Sequence, residues 1–109
     1  MTRINLTDES NRWFDPEKAE RYDEGSYWNG NNHISLVTGD QFLHECIYIT
    51  ASGKIIKNNY SQYQGSRPSY EEIEEQEALE WFQRSEYTDD MVPECLREKY
   101  VAYLKEMEI

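Results

Sequence analysis

His33 and His44 lie in a stretch that also carries Glu45 and Cys46, and these are the residue types that bind zinc or move protons. Zinc needs three or four such groups converging in a closed shell. The spacing here matches no recurrent zinc pattern, and period-two alternation would place Glu45 on the strand face opposite His44 and Cys46. No metal site and no cofactor are expected, and the plainer reading is of strand residues, partly buried and hydrogen bonded. Hydroxyls, thiols and carboxylates for hydrolysis or transfer are all present, but the chain has no HExxH, no GxSxG and no glycine-rich phosphate loop. No catalytic residue is therefore assigned. A small enzyme or metal-dependent ligand binder would have to centre on His33, His44 and Glu45.

A second group is acidic: Glu71, Glu72, Glu74, Glu75, Glu77 and Glu80 precede the first base, Arg84. Like charges three or four positions apart on a helix cost about 0.2–0.5 kcal/mol per pair, so such density asks for a reason. Carboxylates in the first turns complement the helix dipole and keep the chain dissolved. Rows of carboxylates also imitate a phosphate backbone and suit the basic groove of a nucleic-acid-handling protein, with long-range steering of the encounter. A third group is aromatic and amidic: Trp28 to Asn32, and Tyr60 to Gly65, which includes Tyr63 and Gln64. Tyr and Trp bury much area while freezing few torsions. Asn and Gly equally serve to shape turns.

These groups have to be positioned by one domain. The 109 residues suit a single core, and an aromatic content of 14% supplies its anchors. The net charge of −11 disfavours direct binding to nucleic acid or anionic membranes. No window approaches a membrane span and the N-terminus lacks the apolar core of a signal peptide, so a cytoplasmic chain with reduced Cys46 and Cys95 is expected.

Residues 1–12 read as a flexible arm or short edge segment, with a single domain over 13–109. Asp15 followed by Pro16 signals a helix start, predicting a short helix from Pro16 to Tyr22 with Ala19 and Tyr22 inward. Ser26–Trp28 suits a strand, followed by a turn at Asn29–Asn32. Phe42–Ile49 alternates with period two, Gly53 suits the left-handed position of a hairpin loop, and Lys54–Tyr60 reads as the returning strand. Ser69 and Glu72 have capping-box spacing, so a helix is expected from Tyr70 or Glu74 to Ser85, with Ile73, Ala78, Leu79, Trp81 and Phe82 along its stripe. A last helix is expected from Pro93 to Glu106, facing inward with Leu96, Tyr100, Tyr103, Leu104 and Met107.

The run WNGNNHIS at Trp28–Ser35, with Thr38, Gly39, His44, Glu45, Tyr48, Thr50, Gly53, SQYQG at Ser61–Gly65, Ala78 and Trp81, resembles a family of small uncharacterised bacterial and mobile-element proteins. The resemblance covers roughly residues 13 to 87. It implies a domain boundary and no established reaction. Of the two positions near Ile56 and Tyr63 where that pattern carries an aromatic, only Tyr63 keeps it.

The fold class expected is α+β: a small antiparallel β-sheet built on the central hairpin and packed by two or three helices. The function expected is a non-enzymatic acidic protein-binding module, an inhibitor or nucleic-acid mimic of the anti-CRISPR type. Its partner would be a basic nucleic-acid-binding protein or effector complex. Contact would run through Glu71, Glu72, Glu74, Glu75 and Glu77, with Tyr63 and Gln64 as neutral anchors. A housekeeping accessory domain is the blander alternative.

Overall fold

The computed structural model describes residues 2–62 and 65–109. Along the described chain run β1 (Ile4–Asn5), β2 (Trp13–Phe14), β3 (Glu20–Asp23), β4 (Ser26–Trp28), β5 (His33–Ser35), β6 (Leu43–Ile49), β7 (Ile55–Ser61), β8 (Ser69–Ile73), α1 (Glu75–Arg84) and α2 (Glu94–Met107). The class is α+β, with every strand pair antiparallel. The main sheet has the order β3-β6-β7-β8, while β1-β2 and β4-β5 form separate two-stranded ribbons. No helix among the described residues is long and apolar enough to cross a membrane.

Alternation along β6 and β7 divides the core in two. Register pairs Ile47 with Lys57 and Ile49 with Ile55, so these side chains share one face. That face buries Ile47, Ile49, Ile55 and Ile73 against Ala78, Leu79, Trp81 and Phe82 of α1 and Leu96, Tyr100 and Tyr103 of α2. The opposite face carries Cys46, Tyr48 and Ile56, covered by Leu6 and Phe14 of the N-terminal ribbon. The β6–β7 loop closes through Thr50 and Lys54, with Gly53 at φ 86° accepting a geometry that a side chain would resist.

Residues 4–7 are thus a docked edge segment, where the sequence suggested a flexible arm as one reading. Leu6 is buried, and the Thr7 amide donates to the Tyr70 carbonyl at 2.8 Å. The apolar lower face of the sheet would otherwise meet water, which explains the docking.

The helix expected over Pro16–Tyr22 is corrected, and of the two starts expected for the next helix Tyr70 is corrected while Glu74 agrees with the observed Glu75 within one residue. Pro16–Ala19 makes one turn, capped where Asp15 Oδ1 accepts from the Glu17 amide, and Glu20–Asp23 then pairs with Cys46–Ile49. Ala19 and Tyr22 pack into different core clusters on opposite sides of the sheet, which one helical stripe could not achieve. Likewise Ser69–Ile73 is a strand, since β7 presents an open edge and register joins Asn59 to Ser69 and Ile55 to Ile73. The helix proper begins at Glu75 with no side-chain cap from Glu74. On α2, Met107 points away from the core and is exposed, because the helix overruns the sheet and ends there.

One close approach ties the ribbon to the helices. An added Cβ on Gly25 would lie 2.3 Å from the Ser85 carbonyl oxygen, just beyond the end of α1. The Leu36 amide also donates to the Gly25 carbonyl at 2.9 Å.

Candidate functional site

The acidic run is split over two elements. Glu71 and Glu72 lie on edge strand β8, with Glu71 on the helix-covered face and Glu72 on the other. Glu74 stands at the junction, and Glu75 and Glu77 lie in the first turn of α1, where carboxylates favour the dipole. Four of the five expected contact acids have internal cations. Lys57 Nζ stands 2.8 Å from Glu77 and 3.5 Å from Glu71, Lys99 stands 2.5 Å from Glu75, and Arg12 pairs with Glu72. Glu74 has no such partner among the described residues.

These pairs differ in depth. Lys57 has only 18% of its side chain exposed, whereas Lys99 and Arg12 are about half exposed, at 55% and 51%. Burial alone would lower the Lys57 pKa, but the Glu77 hydrogen bond and the charges of Glu45, Glu77 and Glu71 outweigh it and raise it. Glu71 and Glu77 therefore tie α1 to the sheet through Lys57 although each is about half exposed, Glu72 is only 28% exposed beside Arg12, and Glu74 and Glu75 are exposed with a loosely held counter-ion or none.

The expected neutral anchors Tyr63 and Gln64 lie outside the described residues. The other aromatic segment is in view. All three residues of β4 are exposed, Tyr27 by 50% and Trp28 by 59%. Trp28 meets the His33 ring edge-on across the ribbon, at 5.1 Å between centroids. Asn29 Oδ1 accepts from the amides of Asn31 and Asn32, so the asparagine cluster shapes the turn that displays these rings.

The fold does not bring His33, His44 and Glu45 together. His33 packs on Trp28 in the β4–β5 ribbon, while His44 sits on β6 against the Tyr60 ring, 5.4 Å away. Glu45 points to the other face, as alternation requires, and its Oε1 accepts from Trp81 Nε1 at 3.1 Å. No group of three or more His, Cys, Asp or Glu is arranged to hold a metal ion among the described residues.

What the sequence did not mark is Glu24. Its carboxylate lies 2.8 Å from His44 Nδ1 through one oxygen and accepts the Glu45 amide at 2.6 Å through the other. It takes the place of a backbone acceptor just past the end of β3. No spacing rule links residues 24 and 44; only the β3–β6 register brings them together. His44 Nε2 is buried with no hydrogen-bond partner among the described residues.

Comparison of the chain with protein-family models, with curated proteins and with solved structures returned no match.

Proposed function

We propose that this protein is a non-enzymatic acidic binding module that occupies the basic surface of a nucleic-acid-handling protein or effector complex, acting as an inhibitor or nucleic-acid mimic of the anti-CRISPR type. The observation that carries the reading is the set Glu72, Glu74 and Glu75 where β8 runs into α1, with Glu74 and Glu75 exposed and Glu72 partly so. Exposed ion pairs are worth about 0–1 kcal/mol, so a partner's Arg or Lys displaces Arg12 or Lys99 at small cost. Long-range attraction from a chain of net charge −11 accelerates the encounter with a basic groove. Exposed Trp28 and Tyr27 add the aromatic area in which binding energy concentrates.

Affinity capture from host lysate, read by mass spectrometry, tests the reading against a Glu72→Lys, Glu74→Lys, Glu75→Lys variant. Retention of a basic nucleic-acid-handling protein by the native chain and its loss from the triple variant is the expected result. Capture that is unchanged by the reversal and by high salt would refute it.

The Glu24–His44 pair favours a second reading, a small-ligand binder or enzyme, because a carboxylate on Nδ1 orients an imidazole for proton transfer. Against it, Nε2 is covered. His44→Gln separates the two: it leaves partner capture intact under the first reading and removes activity under the second.

A further inference from the structure

The chain has two acids for every base, yet the cleft between the N-terminal ribbon and the β6–β7 loop reverses that balance at its rim. Arg12, Lys18 and Lys54 border it, against Asp15 alone. Arg3 adds a fourth cation, lying 5.7 Å over the Trp13 ring that forms one wall. Asp15 is already engaged, since its Oδ1 caps the Glu17 amide, and Arg12 is paired with Glu72. Lys18 and Lys54 are different: among the described residues no carboxylate stands within 4.0 Å of either ammonium. Two lysines without an ion pair thus border one opening, although Lys18 also lines a neighbouring groove with Glu20 and Glu94, and Lys54 one with Asp8, Glu72, Glu74 and Glu75.

The interior of the cleft is apolar. Leu6, Phe14 and Ile56 make a buried floor, and the Trp13 indole is 46% exposed beside it. The cavity volume is about 260 Å³. Ligand pockets run from about 300 to 1,000 Å³, so this one has room for a single ring and a short substituent.

We infer that this cleft is a binding site for a small amphipathic anion, one apolar ring bearing a carboxylate, with the ring against Trp13 and Phe14 and the carboxylate between Lys18 and Lys54. An apolar ring here covers the exposed part of the Trp13 face and displaces water that the floor cannot hydrogen bond. The carboxylate supplies the charge that the two lysines lack, and a neutral ring loses that contribution. The same chemistry is offered by a free aromatic acid and by a peptide ending in an aromatic residue. The site adjoins the acidic Glu72, Glu74 and Glu75 face, since Lys54 borders both and Arg12 pairs with Glu72, but its apolar floor and its Trp13 wall belong to the cleft alone.

Proton–nitrogen NMR titration of the full chain with benzoate and with benzyl alcohol tests the inference. Benzoate is expected to give saturable shifts at the Trp13 indole N–H and the Ala51 and Ser52 amides, with Kd of about 1 mM or tighter. Benzyl alcohol should bind at least about fivefold more weakly, and Lys18→Gln with Lys54→Gln should weaken benzoate by about the same factor. Trp13→Ala should abolish the shifts while the remaining spectrum stays native. A second arm compares acetyl-Gly-Phe with free carboxylate to benzoate: tighter binding of the dipeptide assigns the site to a chain terminus, and equal or weaker binding assigns it to a free acid. Absence of saturation to about 20 mM benzoate, equal binding of benzyl alcohol, or indifference to the lysine substitutions would each overturn it.

Discussion

Lys57 Nζ on β7 lies 2.8 Å from Glu77 Oε2 on α1, so a cation from the sheet holds the start of the helix that packs over it. The contact reaches across the upper core and also draws in Glu71 from the neighbouring strand at 3.5 Å. It turns two members of the acidic run into structural residues. Replacing Lys57 with Met keeps the stem that packs on the sheet and removes the charge. The expected loss is about 0.5–1.5 kcal/mol, because both carboxylates regain water when the ammonium is gone. Urea unfolding monitored by tryptophan fluorescence checks it.

Gly25 supports a sharper prediction. Alanine there drives its methyl group to 2.3 Å from the Ser85 carbonyl oxygen and 2.9 Å from Leu36 Cδ1. Backbone cannot swing away as a side-chain end can, so the ribbon and the end of α1 must separate. Gly25→Ala should cost about 1–3 kcal/mol, read as a lowered urea midpoint with an unchanged slope.

Leu6 tests whether the N-terminal ribbon belongs to the fold. It is 8% exposed and covers Cys46, Tyr48 and Ile56 together with Phe14. Leu6→Ala should destabilise by about 2–3 kcal/mol and lower the thermal midpoint by several degrees, whereas an undocked arm would show no change.

Alkaline pH should unfold the protein earlier than acid-side intuition suggests. Burial pushes the Cys46 thiol up from 9.0 to about 11 and the Tyr87 phenol up from 10.0 to about 12. Burial likewise raises Tyr60, Tyr70 and Tyr100. Each folded-state pKa lies above its unfolded value, so the folded state holds these protons more tightly. The stability is intact below about pH 9 and falls as pH rises through the folded values. Urea midpoints measured from pH 8 to 12 should decline steadily, and Cys46→Ala should remove the earliest part of that decline.

Trp28 separates display from packing. At 59% exposure it contributes little to the core, so Trp28→Ala should leave stability within about 0.5 kcal/mol of the native chain. If the β4–β5 ribbon carries recognition, affinity for a captured partner should nonetheless fall about tenfold or more by surface plasmon resonance.

Local periodicity made part of this fold legible in the sequence. The alternation of Phe42–Ile49, the left-handed Gly53 and the apolar stripe Leu96, Tyr100, Tyr103 are signals contained within a few residues, and β6, β7 and α2 follow them. The opposite placement of His44 and Glu45 was legible for the same reason, since neighbours on a strand must diverge. Composition and the position of the acid were likewise readable, but the use of that acid was not.

Tertiary structure decided the rest. Ser69–Ile73 carries a capping-box spacing that favours a helix by about 1 kcal/mol, and pairing along the open edge of β7 with burial of Ile73 outweighs it. The same competition turned Glu20–Asp23 from helix to strand beside β6. Which carboxylates are tied to cations, which face water, and that Glu24 meets His44 all depend on strand register and on helix docking across the sheet. Those contacts join residues 14 or more positions apart, where no local spacing encodes them. The acidic sequence thus specified a charge, and only the packed sheet and helices divided it into carboxylates that hold the fold and carboxylates left for solvent.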